Sequence, residues 1–274
     1  MRGDGVEETL ARVIADRRTV LLVVAHPDDD VLGAGALLAR LPRVQIVYVT
    51  DGAPRDGHDA RAHGFADAGD YAAARRREAR EALAVAGVDP ERTVWLEVPD
   101  QAATFQLERI ARRLGDLVAA TAADLVLTHP YEGGHPDHDA VAFAVHAALA
   151  RTGGDATARR PLLEFTGYRA APAGGREASF LPCAARPEAA FVLSEAERRL
   201  KAAMLARHHT QAAVLADFPL QREAFRFAPA YDFSRPPHAG TLLYERPGFG
   251  AAWGIEGPRW RREAAAAAGR LGLG

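Results

Sequence analysis

The sequence predicts a three-layer α/β sandwich, a mostly parallel sheet covered by helices on both faces, with a metal site at the carboxyl ends of strands 1 and 4. Three observations predict it. Short apolar runs alternate with helical patterns from residue 7 to residue 151, the β-α-β-α order of an open parallel sheet. The first run, Val20–Ala25, is apolar throughout, as in a strand buried on both faces. That run and the fourth, Asp124–Thr128, lead into clusters of histidine and aspartate, HPDDD at 26–30 and HPYEGGHPDHD at 129–139.

Each element has its own signal. Glu7–Asp16 places Leu10, Val13 and Ile14 at helical spacing. After strand 1 and its HPDDD turn, Val31–Leu41 reads as a helix with Asp30 as N-cap, and Gly33 and Gly35 let it lie close to the sheet. Val44–Thr50 is strand 2, closed by Asp51 and Gly52, and the polar stretch to about Asp67 reads as a long binding loop. Tyr71–Ala86 is a helix, basic on one side through Arg75, Arg76, Arg77 and Arg80 and ended by Gly87. Thr93–Val98 forms strand 3 and runs into Pro99-Asp100, Leu107–Thr121 forms a helix, Asp124–Thr128 is strand 4, and a helix runs from about His138 to Arg151.

Beyond a weak linker at Gly153–Arg160 the pattern is less regular. Glu164–Arg169 and Ala189–Leu193 add strands, and Ser194–Ala216 reads as one long helix opened by a capping box of Ser194 and Glu197. Phe225–Gly240 is rich in aromatics and proline, and Thr241–Glu245 is a last strand. No repeat or low-complexity stretch divides the chain. The expected organisation is one domain over residues 1–274 with an elaborated carboxyl-terminal half from about residue 155.

Composition narrows the function. A chain of 274 residues with 48% hydrophobic content buries a substantial core. Its net charge of -2 gives no electrostatic reason to expect nucleic acid or an anionic membrane. The lone Cys183 excludes an internal disulfide and every cysteine-rich zinc module, so a metal must be held by histidine and carboxylate. The acidic amino terminus lacks the apolar core of a secretory signal and no run is long enough to span a membrane, so the expected location is cytoplasmic.

Connectivity brings the two clusters together. In the common doubly wound order strand 4 returns beside strand 1, and ligands bind in the crevice at their carboxyl ends. Residues far apart in sequence then meet. A hydrolytic zinc site takes three protein ligands and keeps a position open for water, and His/Asp/His is an acceptable donor set for zinc and for other divalent transition metals. We assign His26, Asp29 and His138 as ligands. Asp28 is then free to act as general base on a water whose pKa the metal lowers. His135, in its protonated form, is placed to stabilise an oxyanion, with Asp137 holding its ring. His129 reads as a neighbour of the ligands, His146 as structural, and His58 and His63 as solvated loop residues.

The same residues bear on other classes. GAG at 33–35 with Asp51 after the next strand faintly resembles a dinucleotide fingerprint, but three carboxylates occupy the turn where a pyrophosphate would lie. A metal-dependent phosphoesterase uses clustered Asp and His on a parallel sheet, yet two-metal chemistry calls for more carboxylates than these clusters supply. A non-catalytic sugar-binding protein would have lost the base, and Asp28 is present.

AHPDD at 25–29 together with GHPDH at 134–138 resembles the signature of the PIG-L/LmbE-like family of metal-dependent N-acetylglucosaminyl deacetylases. The likeness runs over about residues 19–150, and KAAMLARHHTQ at 201–211 resembles the family's Lys, then His-x-Ser/Thr-Gln, element. The resemblance implies a Rossmann-like fold, zinc on His26, Asp29 and His138, Asp28 as base and then acid, and His135 at the oxyanion. Arg75 with Glu78 is similar to the family's Arg-x-x-Glu position that contacts substrate hydroxyls, and Asp100 to a sugar-contacting carboxylate; read alone, Arg75–Arg80 is equally a solvated helix face. Asp30 stands where many members have Glu. The implied activity is removal of the acetyl group from an N-acetylglucosamine-type sugar or glycoconjugate. The implied partner is that small molecule, with specificity in the loop at Gly52–Gly69 and in the segment Tyr231–His238.

Overall fold

The computed structural model describes residues 5–152, 160–250 and 253–273. Its helices are α1 (Val6–Ala15), α2 (Asp29–Leu38), α3 (His58–Ala62), α4 (Ala68–Val85), α5 (Leu107–Thr121), α6 (Pro136–Arg151), α7 (Glu195–Leu205), α8 (Ala212–Leu215) and α9 (Gly257–Leu271). Its strands are β1 (Thr19–Val24), β2 (Arg43–Pro54), β3 (Thr93–Asp100), β4 (Leu125–Thr128), β5 (Leu162–Phe165), β6 (Arg169–Ala170), β7 (Arg176–Glu177), β8 (Ala189–Val192) and β9 (Arg222–Phe227).

The expected architecture holds. Seven strands form one sheet in the order β3-β2-β1-β4-β5-β9-β8. The first five are parallel, and β9 and β8 extend the sheet with antiparallel pairings. β1 sits at the centre, which explains its unbroken apolar run: Leu21 and Val23 face α5, α6 and α9, whereas Val20, Leu22 and Val24 face α1, α2, α4 and α7. β1 pairs with β2 on one side and β4 on the other, so their carboxyl ends open the crevice that doubly wound sheets use for ligands.

Several elements depart from expectation for local reasons. Asp30 is not a cap: α2 begins at Asp29, and the Asp30 carboxylate is buried where it accepts the Tyr48 hydroxyl at 2.9 Å. Burial raises its pKa to about 7. The loop after β2 contains the short helix α3. The capping box of Ser194 and Glu197 is present, but the helix it opens ends at Leu205 and resumes only after a 3₁₀ turn, His209–Gln211. Thr241–Glu245 adds no strand; Leu243–Glu245 is a 3₁₀ turn. The linker expected at Gly153–Arg160 lies, except for Arg160, outside the described residues.

Two elements had no clear sequence signal. β9 reads REAFRF, and Glu223 and Arg226 are buried along with Ala224 and Phe225, which erases the polar-out alternation of a surface strand. α9 buries Trp260, Ala264, Ala267 and Leu271 against α5 and α6. Among the described residues no helix is long and apolar enough to cross a membrane.

Candidate active site

The first cluster hangs from the end of β1. The chain turns at His26–Asp28, and Asp29 opens α2, where its carboxylate accepts the His26 backbone N–H at 2.7 Å. The second cluster follows β4 through a tight loop into α6, whose N-cap is His135 and which presents His138 in its first turn. The two meet as connectivity requires. His26 Nδ1 stands 3.1 Å from Asp29 Oδ2 and 3.2 Å from His138 Nε2, and His138 Nε2 is 3.2 Å from Asp29 Oδ1. All three side chains are buried.

That spacing fits a cation. Ligand atoms tetrahedrally arranged about 2.0–2.1 Å from zinc stand roughly 3.3 Å from one another. Tautomers agree as well: His26 Nε2 donates to Asp100 Oδ1 at 3.1 Å, which leaves Nδ1 as a lone pair facing the other two ligands. Burial lowers the His26 pKa, but the Asp100 and Asp29 carboxylates override it and raise it well above its ordinary value. Burial raises the Asp29 carboxyl, and His138, His129 and His26 outweigh that to hold it well below the usual range. His129 borders this set: its Nε2 accepts the Ala25 N–H at 3.0 Å and lies 3.4 Å from Asp29 Oδ2, and its ring stacks on His138 with centroids 4.1 Å apart.

Asp28 belongs to a different environment. Its Oδ2 accepts from Arg75 Nη2 at 2.7 Å, and Arg75 Nη1 donates to the Gly52 carbonyl at 2.7 Å. One guanidinium therefore ties the base candidate to the end of β2. The approach needs a glycine, since Gly52 has φ +68° and a Cβ there would lie 2.4 Å from Arg75 Nη1. Burial raises the Asp28 pKa, with Arg75 the main opposing influence. Arg75 is a buried ion-pair partner, which settles it against a solvated face. One turn later on α4, Glu78 accepts the Thr210 N–H at 3.0 Å and the Thr210 hydroxyl at 2.6 Å, and Gln211 donates to Tyr71 Oη at 2.6 Å. The Arg-x-x-Glu and His-x-Thr-Gln elements are thus two halves of one contact.

Asp137 acts elsewhere than expected. His135 is the helix N-cap, so its Nδ1 accepts the Asp137 backbone N–H at 3.1 Å, and the Asp137 carboxylate has other partners, lying 3.6 Å from His26 Nε2. It accepts the backbone N–H groups of Gln101 at 2.6 Å and Ala103 at 3.1 Å, tying the segment after β3 to α6. The protonated state expected for His135 is also corrected: burial, with His26 and His138 nearby, lowers its pKa well below the ordinary value. With Nδ1 occupied as an acceptor, the neutral ring carries its proton on Nε2. Asp100 is likewise held first by His26, although it also borders the cleft.

The cleft over these groups encloses about 180 Å³. Its floor is His26, Asp28, Asp29, Asp100 and His135, and Arg75, Asp59 and Gln211 add polar edges. Tyr168, Trp253, Phe218 and Leu215 make apolar walls, with the Tyr168 ring 5.1 Å from His138 and the Trp253 ring 4.6 Å from His135. Sequence reasoning missed these walls because they come from short helical turns and loops without a motif. Tyr131, just before the second motif, turns away and bonds the Arg235 carbonyl at 2.9 Å.

A cluster of histidine and aspartate at metal-ligand spacing, a separate buried carboxylate and a cleft at the carboxyl ends of the central strands are the parts that metal-assisted hydrolysis uses. Residues 21–149 match the family model described as PIG-L, GlcNAc-PI de-N-acetylase. Among solved structures, the A40926 pseudoaglycone deacetylase Dbv21 is similar at TM-score 0.62 with 22% identity, over 79% of this chain and 99% of that one. The N,N'-diacetylchitobiose deacetylase of Pyrococcus horikoshii is similar at TM-score 0.55 with 18% identity, over 82% of this chain and 94% of that one. GalB, the 4-carboxy-2-hydroxymuconate hydratase of Pseudomonas putida, is similar at TM-score 0.54 with 16% identity, over 78% and 98% of the two chains. These likenesses show the fold, and a hydratase among them means that the fold alone does not choose the reaction. No curated protein matches the sequence.

Proposed function

We propose that the protein is a zinc-dependent hydrolase that removes the acetyl group from the 2-acetamido nitrogen of an N-acetylglucosamine-type sugar or glycoconjugate, releasing acetate and a free amine. The observation that carries this reading is the convergence of His26 Nδ1 and His138 Nε2, 3.2 Å apart, on the Asp29 carboxylate, one oxygen 3.1 Å from His26 and the other 3.2 Å from His138, with Asp28 beside them and outside the set. A divalent cation held there supplies a Lewis acid and lowers the pKa of a water molecule to near neutrality.

The remaining chemistry falls to the chain. Arg75 fixes one Asp28 oxygen, so the carboxylate is oriented to take a proton from the attacking water. The same carboxyl, now protonated, delivers that proton to the departing nitrogen. His135, neutral with Nε2–H, donates a hydrogen bond to the oxygen that gains negative charge. Asp100 and Asp137 position the ligand end of the site, Asp100 through the His26 ring and Asp137 through the backbone after β3. Sugar hydroxyls meet Asp59, Gln211 and the free edge of Asp100, while Tyr168, Phe218 and Trp253 take the less polar part of the molecule.

Acetate release from a panel of N-acetylated amino sugars and their glycosides, with and without chelator and added zinc, tests the reading. The expected result is release from at least one such substrate, lost on chelation and restored by zinc. Absence of acetate across the panel, or release indifferent to chelation, contradicts it.

A further inference from the structure

We propose that the buried Lys201–Glu223 pair is a positioning device for Asp29, and that it sets how tightly the site holds its cation. This rests on the assignment of Asp29 as a ligand above. α2 is broken in its middle: Ala34 has φ −146° and ψ 22°, outside helical values. An unbroken helix would bond the Ala36 N–H to the Leu32 carbonyl and the Leu37 N–H to the Gly33 carbonyl. Here Lys201 Nζ donates to the Leu32 carbonyl at 2.8 Å, and Glu223 accepts Ala36 N–H at 2.8 Å and Leu37 N–H at 3.1 Å. Lys201 and Glu223 join at 2.9 Å. The pair thus stands inside a severed helix hydrogen bond, ammonium on the carbonyl half and carboxylate on the amide half.

This placement has a directional result. The break makes residues 29–32 a separate first turn, and that turn carries Asp29 at one end and the Lys201-held Leu32 carbonyl at the other. Stability is a poor reason for such an arrangement, because burying an ion pair is costly and apolar replacements are often as stable. Both side chains are almost wholly buried, and they reach α2 from α7 and β9, elements with no ligand of their own. Gly35 completes the fit: a Cβ there would lie 3.3 Å from Lys201 Cγ and 3.2 Å from Val31 Cγ1. Lys201 and Glu223 act through Asp29 and touch no reacting atom.

Zinc titration of the metal-free full chain by calorimetry, with thermal melting alongside, tests the role. Lys201→Met with Glu223→Leu removes both charges together, lets α2 close its hydrogen bonds and is expected to melt near wild type while binding zinc roughly tenfold or more weakly, the usual scale for groups behind metal ligands. Gly35→Ala crowds Lys201 without removing a charge and is expected to weaken zinc binding by a smaller factor; it decides the matter if the double variant does not fold. Leu114→Ala, a core change on α5, is expected to lower the melting temperature and leave zinc affinity unchanged. Folded variants that bind zinc as wild type does overturn the positioning role alone. A wild-type chain that binds no zinc overturns the ligand assignment, and this proposal with it.

Discussion

Asp28 and Asp29 are consecutive residues with the same side chain and opposite surroundings. Asp29 faces His26, His129 and His138, which hold its carboxyl low despite burial, as suits a ligand. Asp28 faces Arg75, and burial leaves its proton affinity raised, as suits a group that accepts and returns a proton. Arg75→Met strands a buried carboxylate, and a loss of about 3–5 kcal/mol in denaturant unfolding is expected, together with a marked fall in kcat. Arg75→Lys is expected to recover only part, because a single ammonium cannot serve Asp28 and the Gly52 carbonyl as a planar guanidinium does. Much at this scale was legible: residues beside a motif inherit its meaning, and His26, Asp29 and His138 do converge. Orientation was not. Whether Asp137 faces His135 or the backbone of Gln101 depends on His135 being the N-cap, which spacing alone does not reveal.

At the scale of elements, β1, β2, β4, α5 and α6 were readable because each has one uniform environment that imposes one pattern. β9 was not, since Glu223 reaches into α2 and Arg226 bonds Glu164 at 2.8 Å and Glu132 at 2.9 Å inside the protein. A strand that buries its charges looks like a loop in sequence. The glycines of α2 were read correctly as a sign of close packing. A Cβ on Gly33 would lie 2.1 Å from the Phe165 ring on β5, so Gly33→Ala is expected to cost about 1–3 kcal/mol by overpacking. Adding Phe165→Leu should return part of that loss in the same unfolding measurement. If Gly33→Ala is as stable as wild type, α2 does not lie on β5 as described.

At the scale of the whole molecule, the sheet brings together two clusters that mean little apart, and the same burial that assembles them leaves histidines unable to protonate. His146, on α6, has its pKa lowered to about 4 by burial. Below the ordinary value of about 6.5 the unfolded chain takes up a proton that the folded one refuses. Stability therefore falls as pH drops from about 6.5 toward 4 and is unaffected by this group above that window. His129 and His208, lowered to about 4 and about 3, act in the same sense. His146→Leu is expected to shallow the decline in melting temperature between pH 7 and pH 5 without abolishing it. An unchanged pH profile in that variant places the acid sensitivity elsewhere. In the proposed function a cation held by His26, Asp29 and His138 and a proton carried by Asp28 together cleave an N-acetyl bond. Acetate release by Asp28→Asn, compared with wild type at matched zinc content, tests it most directly. The variant is expected to bind zinc as wild type does and to lose roughly a hundredfold or more in rate; a zinc-loaded variant that keeps most of the wild-type rate rules out Asp28 as the proton carrier.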